Sequence, residues 1–194
     1  MAAEDEDLSS LPPRVRDLVV DAGRLKQRLD ARTDCVMDLF IPSDVVPAWR
    51  ALMEVPRGDG FFLEWGSGVG TIALMASFLG YTAHGIEIDE ELVRLSKELA
   101  ARHGLAAQFV TGTFFPSWYQ DDPLVADEDH RSYLSGEDGY EALGLGLEDM
   151  DVVYAYPWPG EEALFYDLFD RGARRGAHIL INHGCDGVQI QRRR

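Results

Sequence analysis

The stretch "FFLEWGSGVGTIALM", residues 61–75, decides the fold. Its first five residues are apolar apart from one acid, a composition typical of a buried strand. Three glycines then occupy alternate positions, and an apolar segment follows them. Glycines at such a point let the backbone turn tightly and let a ligand approach the main chain without interference from Cβ atoms. The stretch therefore predicts a strand, a glycine loop and a helix, the opening unit of a ligand-binding α/β sheet.

The same alternation of strands and helices continues along the chain. Helical patterns separate four further predicted strands, at residues 81–88, 107–112, 150–156 and 177–184. Strands that alternate with helices predict a mostly parallel, doubly wound sheet with helices on both faces, a Rossmann-like α/β fold. After the last of these strands only "GVQIQ" at 187–191 resembles a strand, so we expect a shortened C-terminal sheet edge.

Three further segments accompany this core. Residues 1–10 are expected to form an acidic disordered tail, and residues 11–56 an N-terminal helical extension or lid. Within that extension, "CVMDLF" is expected to be extended, and Ser43 or Asp44 to cap a second helix. The core itself spans 57–194 and contains an insertion at 114–148, which is too long for an ordinary connection between a strand and a helix.

Charge and composition limit the possible partners. The 194-residue chain has 18 Lys and Arg against 34 Asp and Glu, a formal net charge of −16. Because gripping nucleic acid requires positive surface, this acidic protein is expected to act on a cationic or neutral acceptor instead. Neither a membrane span nor an export signal is visible, and the two cysteines lack metal-type spacing. We therefore expect a cytoplasmic protein with reduced thiols, no metal site and no membrane partner.

Two acids flank the glycines at informative positions. Glu64 precedes the first glycine by two residues, and Glu87 ends the following predicted strand. An acid about 20 residues beyond a glycine loop is placed to accept hydrogen bonds from the hydroxyls of a ribose. An acid before the glycines suits a ligand that carries an ammonium group. A ligand with a ribose, an ammonium group and no pyrophosphate explains both acids.

These motifs, "EWGSGVG" and "GIEIDEELV", resemble the cofactor half of the class I S-adenosylmethionine-dependent methyltransferases. The resemblance implies that Glu87 holds the ribose of S-adenosylmethionine, that Ile88 flanks the adenine, and that Thr113 meets the adenine amino group. Many members of that family carry an Asp where this chain has Thr113. The residues that match the first motif of the family are Glu64, Gly66, Ser67, Gly68 and Gly70.

The candidate catalytic residues follow the last two predicted strands of the core. "YPWPGEE" loosely resembles an Asn-Pro-Pro-Tyr motif of amino-group methyltransferases, with Tyr156 at the Asn position. A tyrosine cannot copy the amide carbonyl, which disfavours base methylation. We expect Tyr156 and Trp158 to form an aromatic wall beside the acceptor, and Glu161 and Glu162 to face a cationic substrate. The imidazole of His183 is a candidate general base.

The sequence thus predicts a methyltransferase that acts on a small molecule or a protein, with two alternatives left open. One is a catalytically silent protein of the same fold that binds or regulates a partner, since the third-strand Asp and the amide motif are missing. The other is an aminopropyltransferase, because "EIDEELVRLSK" is similar to spermidine synthases, although their paired aspartates are absent here. An NAD-linked oxidoreductase is disfavoured by the glycine spacing.

Overall fold

The computed structural model describes residues 8–30, 45–56, 58–120, 132 and 136–194. Most of the predicted acidic tail, the predicted extended segment at 35–40 and the predicted helix cap at Ser43 or Asp44 lie outside the described residues.

A single six-stranded sheet forms the centre of the described chain, in the order β3-β2-β1-β4-β5-β6. The first five strands are parallel, and β6 pairs with β5 in the antiparallel sense. The predicted α/β fold with a mostly parallel sheet is therefore confirmed, and the "GVQIQ" segment supplies the last strand. The strands are β1 Phe61–Trp65, β2 Thr82–Glu87, β3 Ala107–Thr111, β4 Val152–Ala155, β5 His178–Asn182 and β6 Val188–Arg192.

Seven α-helices of the described chain cover the two faces of the sheet. The first four pack on one face and the last three on the other. Successive residues of each strand alternate between the two cores, so that Phe62 and Tyr154 join the first core while Leu63 and Val153 join the second. The helices are α1 Pro13–Asp30, α2 Val45–Glu54, α3 Thr71–Phe78, α4 Glu90–His103, α5 Ser117–Gln120, α6 Gly139–Leu143 and α7 Glu162–Gly172.

The N-terminal helix α1 packs on the carboxyl ends of α3 and α4. The Arg14 guanidinium lies over the Phe78 ring, 5.1 Å from its centroid, and the Asp21 carboxylate lies 3.2 Å from Nε2 of His103. Helices that connect parallel strands run back along the sheet, so these contacts lie at the edge opposite to the glycine loop. The described contacts of α1 are therefore those of a supporting helix, and a role as a lid stays a prediction.

The insertion at 114–148 contains more regular structure than its sequence predicts. It holds α5, α6 and a short 3₁₀ helix at Leu147–Asp149. Its buried side chains include Phe115, Tyr119 and Tyr140, which fill the second core. The described parts of the insertion therefore take the place of one long crossover helix between β3 and β4. Helices of four or five residues are too short for hydrophobic periodicity to show them.

Candidate functional site

The glycine loop leaves β1 at the carboxyl edge of the sheet, where the strand order reverses and β1 lies between β2 and β4. Gly66, Gly68 and Gly70 have φ angles of 64°, 53° and 75°, in the left-handed region that favours glycine. A Cβ on Gly70 would lie 2.4 Å from the Phe109 ring, whereas a Cβ on Gly66 would meet nothing within 4 Å. Gly70 is thus required for packing, and Gly66 borders open space in which a ligand can approach the main chain.

Most of the amide groups of the loop already bind within the protein. The Ser67 amide donates to the Ile86 carbonyl at 3.0 Å, and the Gly70 amide donates to the Ser67 carbonyl at 2.7 Å. The Gly68 amide donates to Oε2 of Glu87 at 2.8 Å. A phosphate-binding loop directs such amides toward its ligand. This loop uses them to hold its own shape and to bind a carboxylate.

The Ser67 side chain packs within the protein and does not face the open side of the glycine loop. Its side chain is buried, and its hydroxyl has no hydrogen-bond partner among the described residues. A Cβ on Gly85 of β2 would lie 2.7 Å from both Cβ and Oγ of Ser67, so the serine fills the space above that glycine. The structure therefore directs the Ser67 side chain toward β2.

Glu64 lies at the end of β1 beneath the start of α3. Its side chain is only 5% exposed, and its Oε2 accepts a hydrogen bond from the Ala73 amide at 2.8 Å. Burial, and to a smaller extent the nearby Glu87, raise the pKa of this carboxyl to about 8 against the opposing effect of the α3 amides. The positive amino end of α3 therefore already has an acid beneath it.

Glu87 ends β2 on the other side of the loop. Its Oε1 accepts from the Asp89 amide at 3.1 Å, while its Oε2 binds Gly68 as described above. Burial raises the pKa of the Glu87 carboxyl, and the backbone hydrogen bonds oppose that shift. Carboxylate oxygens carry further lone pairs, so Glu87 can still accept bonds from ligand hydroxyls. Asp89 instead caps α4, because its Oδ1 accepts from the Glu91 and Leu92 amides.

Ile88 and Thr113 lie in different environments. Ile88 follows Glu87 directly, and its side chain is 38% exposed, which is unusual for so large an apolar residue. Thr113 is buried, and its Oγ1 accepts from the Phe115 amide at 3.2 Å. Its hydroxyl therefore holds a turn of the insertion, and its role toward an adenine stays a prediction.

Gly136 is a neighbour of this region that the sequence did not reveal. A Cβ there would lie 3.4 Å from Cδ1 of Ile88 and 3.8 Å from Cβ of Thr113. The next residues pair with the end of β3, because the Thr113 amide donates to the Glu137 carbonyl and the Gly139 amide donates to the Thr113 carbonyl. Part of the insertion therefore borders both predicted adenine-binding residues.

Trp65 ties the insertion to the glycine loop, a link that sequence reasoning also missed. Its Nε1 donates to the Tyr140 hydroxyl at 2.7 Å, and both groups are buried. Its ring stacks on Phe114 with centroids 5.4 Å apart. The signal in the sequence was the run of aromatic residues in the insertion, but spacing alone does not pair them with β1.

The ends of β4 and β5 bring two of the predicted catalytic positions close together. A Cβ on Gly184, the residue after His183, would lie 3.2 Å from the Tyr156 hydroxyl. Nε2 of His183 is buried and has no hydrogen-bond partner in the part of the chain that the structure describes. Asn182 fixes this turn, because its Oδ1 accepts from the Gly184 amide at 2.8 Å while its Nδ2 donates to the Tyr154 hydroxyl at 3.0 Å.

The remaining candidates near α7 are partly enclosed. Trp158 is half-buried in the turn between β4 and α7. Glu161 is buried, and its carboxylate accepts from both the amide and the hydroxyl of Ser132. Oε2 of Glu162 accepts from the Gly160 amide at 2.9 Å. Both acids thus have hydrogen bonds within the protein, Glu161 to the insertion and Glu162 to the turn before α7, and their role toward a cationic substrate stays a prediction.

No helix in the described ranges is long and apolar enough to cross a bilayer. Nor do three or more His, Cys, Asp or Glu side chains of the described residues come together as a metal ion would require.

The fold is that of the class I methyltransferases, as the resemblance implied. Among solved structures, the chain is similar to an RNA methyltransferase from Salinibacter ruber in complex with S-adenosyl-L-homocysteine. The two share 21% identity with a TM-score of 0.51, over 74% of this chain and 76% of that one. It is also similar to a precorrin-6y C5,15-methyltransferase from Geobacter metallireducens GS-15, with 15% identity and a TM-score of 0.50. That match covers 76% of this chain and 66% of the other.

Sequence comparison adds no closer relationship. Neither a protein-family model nor the sequence of a curated protein matches this chain. The chain spans about two thirds to three quarters of the two methyltransferases above. At these levels of identity the likeness establishes the fold and assigns neither a reaction nor an acceptor to this chain.

Proposed function

We propose that the protein is an S-adenosylmethionine-dependent methyltransferase that acts on a cationic or neutral small-molecule or protein acceptor in the cytoplasm. The observation that carries this proposal is the pair of buried carboxyl groups, Glu64 and Glu87, on either side of a left-handed glycine loop at the switch point of the sheet.

The two acids favour a nucleoside without phosphate groups. A pyrophosphate at this loop would meet amides that are already bonded and would face two carboxyl groups instead of a free helix end. Hydroxyls and an ammonium group, by contrast, are good partners for carboxylates. S-adenosylmethionine offers a ribose, an ammonium group and no phosphate, so the donor set fits it.

Each residue then has a defined task. Glu87 accepts hydrogen bonds from the ribose hydroxyls of S-adenosylmethionine, and the exposed face of Ile88 packs on its adenine. Glu64 lies toward the amino-acid end of the same ligand, which carries the ammonium group. The open side of Gly66 admits the ligand to the main chain. The bound group supplies an activated methyl, so the chain needs mainly to orient the acceptor and to exclude water.

The acceptor side is formed by the ends of β4 and β5. Tyr156 and Trp158 provide an aromatic wall, and the unpartnered Nε2 of His183 can receive a proton from the acceptor. The net charge of −16 opposes the approach of a polyanion. Although the Salinibacter neighbour is described as an RNA methyltransferase, a likeness at 21% identity assigns no acceptor.

Calorimetry with S-adenosylmethionine and S-adenosylhomocysteine tests the proposal. We expect both to bind the wild type, and we expect Glu87→Gln to weaken binding at least tenfold because a carboxylate that binds hydroxyls is lost. Glu90→Gln is the matched control, since Glu90 is exposed and lies three residues away, in the first turn of α4. Failure of both nucleosides to bind at about millimolar concentration would refute the proposal.

A binding or regulatory protein of the same fold is the second candidate. The observation that favours it is the burial of Glu161, whose two carboxylate oxygens are engaged by the amide and the hydroxyl of Ser132 within the protein. Nucleoside binding without turnover on any amine, thiol or hydroxyl acceptor would support this second function over the first.

A further inference from the structure

The carboxyl group of Glu64 is buried without an opposite charge. It accepts hydrogen bonds from backbone amides at the start of α3, those of Ala73 and Ile72. Amide dipoles compensate a buried charge only in part, so a carboxyl group in such a place favours its protonated, neutral form.

No neighbouring element supplies the missing cation. From β2, the group that faces Glu64 is another acid, Glu87. From β4, Tyr154 lies beside Glu64 in the sheet register, and its hydroxyl accepts from Asn182 of β5. From α3 come only the two backbone amides. Within the described chain, no Lys, Arg or His acts on Glu64, and the pKa of about 8 reflects this.

We propose that Glu64 releases its proton when the ammonium group of the nucleoside's amino-acid end binds, so that affinity for this ligand rises with pH. The proposal rests on the proposed function, because it assigns the amino-acid end of S-adenosylmethionine to Glu64. The O–H bond of the carboxyl breaks, its proton passes to solvent, and the ligand ammonium keeps its own protons. The ammonium thereby becomes the cation that the protein lacks at this position.

The expected size of the effect follows from proton linkage. Below pH 7 the free protein holds the proton on Glu64, and an ordinary α-amino group is protonated as well. Release of one proton per binding event makes the affinity rise by up to about tenfold for each pH unit. The rise levels off as the pH approaches the pKa of Glu64 in the free protein.

Two ligands separate the amino-acid end from the rest of the nucleoside. S-adenosylhomocysteine carries the ammonium, whereas 5′-methylthioadenosine has the same ribose and adenine without it. Titration calorimetry between pH 5.5 and 7, in buffers of different ionisation enthalpy, measures both the Kd and the number of protons released. For S-adenosylhomocysteine we expect the release of close to one proton and a Kd that falls steeply as the pH rises. For 5′-methylthioadenosine we expect a Kd that changes little with pH.

The variants assign the proton to one residue. Glu64→Gln keeps an oxygen that accepts from the Ala73 amide but has no proton to release. Its Kd for S-adenosylhomocysteine should therefore not change with pH. The exposed Glu90→Gln should keep the slope of the wild type. Should Glu64→Gln fail to fold, the comparison of the two ligands on the wild type still decides.

Each other outcome has a clear meaning. A flat Kd for S-adenosylhomocysteine on the wild type overturns the inference and leaves the proposed function intact. Equal slopes for the two ligands overturn the assignment to Glu64, because the proton then comes from the ribose side and Glu87. Absence of binding by S-adenosylhomocysteine at every pH overturns the proposed function and the inference together.

Discussion

Replacing Gly70 and Gly66 by alanine should separate the packing role of the glycine loop from its ligand-binding role. Both residues have left-handed φ angles, 75° and 64°, so either substitution strains the backbone by about 1–2 kcal/mol. At Gly70 the new methyl group would also lie 2.4 Å from two atoms of the Phe109 ring and 3.2 Å from Cβ of Ser96. Phe109 is 1% exposed and cannot move into solvent, so overpacking adds about 1–3 kcal/mol.

Gly70→Ala should therefore lower the free energy of unfolding by about 2–5 kcal/mol, measured by urea denaturation. Gly66→Ala should cost only the backbone strain, because nothing lies within 4 Å of its Cβ. The same variant should lose affinity for S-adenosylhomocysteine, since the methyl group enters the space assigned to the ligand. Equal destabilisation by the two substitutions, or unchanged nucleoside affinity of Gly66→Ala, would contradict this description of the loop.

Two further predictions concern buried polar groups. His84 is 4% exposed, neither ring nitrogen has a partner among the described residues, and burial lowers its pKa. The neutral His84 side chain therefore contributes fully to stability above pH 6.5, and this contribution is lost as the pH falls, by up to about 1.4 kcal/mol per pH unit. The variant His84→Leu has no such proton to bind, so it should flatten the acid side of the Tm–pH profile. Tyr140→Phe removes the acceptor of the buried Trp65 N–H and should lower the free energy of unfolding by about 1–3 kcal/mol, measured by urea denaturation. As a control, Tyr166→Phe removes an exposed hydrogen bond to Gln189 and should lower it by less than about 1 kcal/mol. Equal costs for the two tyrosine variants would count against the role of the Trp65–Tyr140 bond.

The parts of the fold that the sequence predicted are those fixed by local patterns. The strand that ends in Trp65 and the alternate glycines after it depend on residues close together in the chain. Glu64 and Glu87 could be placed on either side of the loop because parallel strands end at the same edge of a sheet. For these elements local propensity and tertiary structure agree.

The parts that could not be predicted depend on pairs distant in the sequence. Trp65 meets Tyr140 across 75 positions, and Glu161 meets Ser132 across 29. Helix α7 ends at Gly172, although the next residues, Ala173 and Arg174, are compatible with a helix. Gly172 packs against Leu147 and Trp118 of the insertion, a constraint that hydrophobic periodicity does not contain.

The alternation of side chains along β1 has a mechanical consequence. Glu64 points to one face of the sheet and its neighbour Trp65 to the other, where the indole bonds to Tyr140 and stacks on Phe114. The end of one short strand thus carries, on adjacent residues, the acid that we propose to bind the nucleoside and the aromatic residue that anchors the insertion. Because the two residues share one peptide unit, we expect a tilt of that strand end to move the Glu64 carboxyl group and the Trp65 indole together.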